Sequence, residues 1–360
     1  MRIKLTKEAA NKDFKDILVD HCSEDVQFQP RDSRQTRYYK EKDMLSKQLG
    51  SDAIVNIHEL AYTLPGFVWS VRTFPDLVVC FGMTSLLDVL KSPSLLSYDT
   101  TFNLGDFYLS VLVVKLSTLL ESPCIPVAFV VHERKFQAAH DEFCEQLSQR
   151  LKCRQDHILV IDGEINIVKA FSQRFPTWTV VSCWNHILTD VEIWLKKHHG
   201  IGQDIVVYKS HVRELLQCTS DDQLSRKEAT LKDTWSEAFH QYYNDHIRER
   251  LCAGYTGRLQ QVGLSVESVT TNMSESLNAV IKRFQGWREN TADLCLLSLY
   301  RLHAYYNTQL MRSSSGYGPY STNYLCNDNG NVTNGNIASL AHAFGAIRFS
   351  VLKLICAHFL

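Results

Sequence analysis

Between Leu95 and Cys183 the chain carries five apolar runs of strand length, and their order restricts the fold more than any other feature. LLSYDTTF (Leu95 to Phe102) and FYLSVLVVK (Phe107 to Lys115) flank a tight Asn103-Leu104-Gly105-Asp106 turn, which predicts an antiparallel hairpin. A third run, VAFVV (Val127 to Val131), follows Pro123 and Pro126. Helical spacing then takes over, with Phe136, Ala139, Phe143, Leu147 and Leu151 on one stripe. HILVID (His157 to Asp162) reads as a strand buried on both faces and leads into IVKAFSQRF (Ile167 to Phe175), a helix stopped by Pro176. WTVVSC (Trp178 to Cys183) is the fifth run and passes directly into HILTDVEIWLKKHH, again helical. Three meandering strands followed by β-α-β-α predict an α/β fold, a mixed five-stranded sheet flanked by helices.

That strand order is the one a ribonuclease-H-like fold uses. From about Lys196 to Gly263 strand signals vanish, and HVRELLQC and LSRKEATLKDTWSEAFHQYYNDHIRERL predict an all-helical insertion, in which DIVVY (Asp204 to Tyr208) is the one run of strand character. The expected organisation is an N-terminal region of unknown role over residues 1–90, the first part of the core over 91–195, the insertion over 196–263, the last core helices over 264–310, and a partly disordered tail over 311–360. SESLNAVIKRF in the last core segment predicts an amphipathic helix with Leu277, Val280, Ile281 and Phe284 on one stripe. No apolar run approaches the ~18 residues that cross a bilayer, so no membrane partner is expected. Eleven scattered cysteines favour reduced thiols in cytosol or nucleus. With 38 basic and 39 acidic side chains the net charge is −1, so any nucleic-acid contact must come from a local patch such as RDSRQTRYYKEKDMLSK (Arg31 to Lys47), although a charge run of this kind is commonly a solvated face.

Asp99 interrupts the first of the five runs, and Asp162 ends the fourth. If those strands are neighbours, both carboxylates reach the same sheet edge. There they repel unless a cation lies between them, and Mg²⁺ or Mn²⁺ suits oxygen ligands. An Asp-Gly turn is the plainer use of Asp162. Glu275 is the candidate third ligand: Asn272-Met-Ser-Glu275 has capping-box spacing, yet Glu275 lies about 160° from Leu277 and so shares a face with Asn278 and Lys282. Cys183 and His186 could form half of a zinc site, but no second pair at ligand spacing is nearby; otherwise His186 faces the same edge as the two aspartates. P-loop, dinucleotide and nucleophile-elbow fingerprints are absent.

Taken in order, SYDTTFNLGDFYLSVLVVK, PVAFVVHERKF, VIDGEINIVKAFSQRFP, VVSCWNHILTDVEIWLKKH and VTTNMSESLNAVIKRF resemble the catalytic domain of Mutator-like (MULE-type) DDE transposases over roughly Leu95 to His198 and Ser265 to Trp287. The resemblance implies a polynucleotidyl transferase that cuts and joins DNA in the nucleus by two-metal-ion phosphoryl transfer. It makes Asp99, Asp162 and Glu275 the catalytic and metal-binding triad and Cys183 and His186 an accessory Cys-x-x-His signature. It further implies Mg²⁺ or Mn²⁺ as cofactor, transposon ends and target DNA as partners, and possible homo-oligomers. The zinc module that usually precedes such domains has no counterpart in residues 1–90, where only Cys22 and Cys80 occur. A non-catalytic, transposase-derived regulator binding DNA or protein, and a non-transposing nuclease, are the alternatives.

Overall fold

The computed structural model describes residues 50, 52–92, 94–101, 105–120, 122–152, 155–198, 202–266, 269, 273–285, 289–314 and 319–320. The basic stretch Arg31 to Lys47 and the tail from residue 321 lie outside them. The chain divides into two compact units, Met1–Leu60 and Ala61–Leu360. A helix, α1, covers Ala53–Thr63.

The second unit is α/β, built on a mixed seven-stranded sheet. Its strands are β1 (Val68–Arg72), β2 (Val78–Phe81), β3 (Leu95–Thr101), β4 (Tyr108–Lys115), β5 (Cys124–His132), β6 (Ile158–Ile161) and β7 (Thr179–Ser182), in spatial order β1-β2-β5-β4-β3-β6-β7. β3, β4 and β5 form the antiparallel meander expected from their apolar runs, while β6 and β7 join parallel to β3. The expectation of five strands is corrected to seven. β1 and β2 add an antiparallel pair on the β5 edge and draw part of the 1–90 region into the sheet. At five and four residues, one on each side of Phe74-Pro75, they are too short for periodicity to reveal. What makes VVCF a strand is its place: all four residues of β2 are buried beside β5.

Helices cover both faces. On one, α3 (Gln137–Arg150) and α4 (Ile165–Arg174) bring Phe143 and Phe171 against Tyr98 of β3, with ring centroids 5.3 and 4.9 Å away. Phe136, counted in the α3 stripe, is instead an exposed residue at the helix entrance. A short helix α2 (Thr84–Leu87) and a 3₁₀ turn lead into β3. After β7 come α5 (Trp184–Lys197), α6 (Gly202–Leu216), α7 (Asp221–Lys232), α8 (Glu237–Tyr242), a π-turn over Tyr243–Ile247, α9 (Arg248–Gly254) and α10 (Thr256–Gln261). The DIVVY run lies within α6, because β-branched residues still form helix where one side packs, here with Ile205 and Tyr208 against the core and Val206 and Val207 outward. Val160, Val181, Cys183 and Trp184 share one apolar core with the insertion residues Leu215, Phe239 and Leu251, so these helices pack on the sheet as well as on one another.

Two helices close this second face, α11 (Met273–Phe284) and α12 (Ala292–Ser314). α11 buries Met273, Ser274, Leu277 and Ile281, whereas Phe284, expected on the same stripe, is exposed. Spacing of four residues (273, 277, 281) suits a helix lying across β3, β4 and β5. Among the described residues no helix is long and apolar enough to cross a membrane.

Candidate functional site

β3 and β6 pair in parallel with Tyr98 opposite Ile161, so Asp99 and Asp162 each lie one residue beyond the same pair on strands about 4.8 Å apart. Both line a cleft at the carboxyl ends of these strands, with Ser97, Cys183, His186, Met273 and Ser274. Its volume, about 20 Å³, holds roughly one water-sized sphere. Alternation along β3 puts Tyr98 and Thr100 into the opposite layer and leaves Ser97 and Asp99 facing α11.

Asp162 Oδ1 accepts a hydrogen bond from the Glu164 amide at 2.8 Å, the Asx-turn geometry that an Asp-Gly pair favours, and Gly163 takes φ +85°. The turn therefore uses Asp162 structurally and also leaves it in the cleft. Asp99 Oδ2 accepts from Asn278 Nδ2 at 3.1 Å, while the Ser97 and Ser274 hydroxyls are 2.6 Å apart. Each of these bonds to a carboxylate engages one oxygen, and a carboxylate offers about four lone-pair sites. Burial pushes the Asp99 carboxyl above its ordinary range; His186 opposes this, and the charge of Asp162 adds to it. Hydrogen bonding to Cys183 raises the His186 imidazole, burial opposes, and the charges of Asp99 and Asp162 help hold it at about 9. His186 Nδ1 is buried with no hydrogen-bond partner among the described residues.

Cys183 is the residue at which α5 begins, and His186 lies one turn along, which is why a Cys-x-x-His spacing brings both to the edge that holds the aspartates. Glu275 stands one helical turn before Asn278 on α11, but its side chain lies outside the described residues. Among the described residues, no group of three or more His, Cys, Asp or Glu side chains is disposed to hold a metal ion. Asp99 and Asp162 are the two carboxylates that line the cleft.

Three participants escape the sequence reading. Ser97 is the period-two neighbour of Asp99, so strand alternation alone could have found it. Glu164 is a third carboxylate, raised by burial, lowered by Lys135 at 3.8 Å, and raised again by Asp162 and Asp99; its signal was the Asp-Gly-Glu run. Arg250, from the insertion, donates to the Asp162 carbonyl across 88 positions of chain, and no local pattern marks it. No family model matches this chain, and no curated protein matches it significantly in sequence.

Proposed function

We propose that the chain is a transposase-like polynucleotidyl transferase of ribonuclease-H-like fold, akin to the MULE-type enzymes, acting on DNA in the nucleus with Mg²⁺ or Mn²⁺. The observation that carries this reading is the register of β3 and β6, which delivers Asp99 and Asp162 to one narrow cleft where the charge of Asp162 disfavours the ionisation of Asp99. A half-buried pair of hard oxygen donors set close together suits a divalent cation, with Glu275 as the third ligand from α11. When bound, such a cation supplies Lewis acidity at phosphorus and lowers the pKa of a bound water or hydroxyl.

The residues of the chain contribute position and charge. The Glu164 amide fixes the rotation of Asp162, and Asn278 does the same for Asp99. His186, charged at neutral pH, offers a buried N–H to a phosphate oxygen in the cleft. The test is nicking of DNA by Asp99→Asn, which removes an anionic ligand at nearly constant volume. Metal-dependent nicking should disappear while DNA binding survives or tightens, because less negative charge faces the phosphates. Equal nicking by wild type and variant would assign the activity to a contaminant. A folded wild type that nicks no DNA, at high substrate concentration and with metal, would sink the enzyme reading in favour of a transposase-derived binding regulator.

A further inference from the structure

We infer that Arg250, from helix α9 of the insertion, is a positioning residue that clamps the Asp162–Gly163 turn and so sets where the Asp162 carboxylate stands. The metal-binding consequence rests on the function proposed above; the clamp itself rests on five contacts. Nη1 of Arg250 donates to Asp190 Oδ2 of α5 at 2.7 Å, and Nη2 donates to the Asp162 carbonyl. The Arg250 side chain lies hard against Gly163: a Cβ there would come within 2.1 Å of Nε, so the glycine serves both the positive φ and the close approach of the arginine. One turn later on the same helix, Gly254 packs so tightly that a Cβ would sit 2.8 Å from the Ser182 carbonyl, and its own carbonyl accepts from Trp184 Nε1 at 2.6 Å. Helix α9 is thus fastened at both ends to the strand termini that carry Asp162 and Cys183. The arginine side chain is 17% exposed, which shields its bonds from water.

An arginine that merely anchors the insertion would depend on Asp190 and leave Asp162 indifferent. One that positions the turn should govern the Glu164 amide, whose hydrogen bond to Asp162 Oδ1 closes that turn. The experiment is amide hydrogen exchange and Mn²⁺ titration, followed by electron paramagnetic resonance, on the full chain carrying Arg250→Gln, Arg250→Lys or Asp190→Asn. In Arg250→Gln, exchange at Glu164 should quicken about tenfold and Mn²⁺ bind about tenfold more weakly, the low end of what loss of an outer-shell partner costs a metal site. Arg250→Lys keeps the charge but cannot reach both acceptors and should fall between. Unchanged exchange at Glu164 in folded Arg250→Gln overturns the clamp. If that variant does not fold, Asp190→Asn loosens the guanidinium without removing it, and a smaller change in the same direction is expected; no change there overturns the clamp equally. A wild type that binds no Mn²⁺, with a turn that loosens in the variants, upholds the clamp and removes the metal reading of the site.

Discussion

Lowering the pH from 7.5 to 5.0 should destabilise this fold by an amount that three buried histidines dominate. His132, His140 and His303 are fully buried. Burial holds His132 down at about 4, and it holds His140 and His303 at about 3. Their contacts explain the cost of charging them. His132 Nε2 is 2.8 Å from the Ser110 hydroxyl, His140 Nδ1 is 3.0 Å from the Tyr98 hydroxyl, and the two rings lie 5.2 Å apart; His303 accepts from the Met83 amide at 3.2 Å. A base whose folded pKa lies below its unfolded value of about 6.5 costs nothing above pH 6.5. As the pH falls below that, the unfolded chain takes up a proton that the fold refuses, at about 1.4 kcal/mol per pH unit, until the folded pKa is reached. At pH 5.0 each ring therefore removes about 2 kcal/mol, or about 6 together. His186 works in reverse: held up at about 9, it adds about 1.4 kcal/mol of stability over the same interval. These four groups give a net loss of about 4–5 kcal/mol, to which His157, also buried and held down by burial, adds in the same direction; that is comparable with the whole stability of many domains, about 5–15 kcal/mol.

Urea unfolding at both pH values, in metal-free buffer of constant ionic strength, measures the difference directly. His303→Asn keeps an acceptor near the position of Nδ1 but cannot titrate. It should lower stability at both pH values and shrink the pH-dependent loss by about 2 kcal/mol. A wild-type loss below about 2 kcal/mol, or an equal loss in the variant, would show that these rings are not held neutral by the fold.

Three further outcomes follow from individual contacts. Asn278→Ala removes a donor that favours the charged form of Asp99, so the Asp99 carboxyl should titrate higher still by carbon-detected NMR; a downward move would contradict the contact. Ser97→Ala and Ser274→Ala each strand a buried hydroxyl and should cost about 1–3 kcal/mol, whereas the double variant should cost less than the two combined, which a double-mutant cycle by urea unfolding would reveal. Trp184→Phe leaves the Gly254 carbonyl without its donor and should cost about 1–3 kcal/mol in thermal or urea melts, with near-neutral behaviour arguing against the 2.6 Å bond.

The sequence by itself determined the elements whose signals are local. Strand-length apolar runs separated by turn residues marked β3 to β7, and helical spacing marked the insertion, because period and length are properties of a short segment. It also placed Asp99 within the first of these strands and Asp162 at the end of the fourth, and the parallel pairing of β3 with β6 then makes them neighbours. Tertiary structure alone decided the rest. β2 is a strand only because the open edge of β5 satisfies its backbone groups and buries VVCF, a gain invisible in four residues, and β1 pairs in turn on β2. Phe284 is exposed although its helical angle puts it on the α11 stripe, and only the packing around α11 decides that. Arg250 and Asp162 meet across 88 positions, as Ser97 and Ser274 do across 177, and the low pKa of His140 depends on what surrounds its ring. Distance along the chain carries no record of such contacts; they exist only once burial has excluded water and left each polar group the partners that the packing supplies.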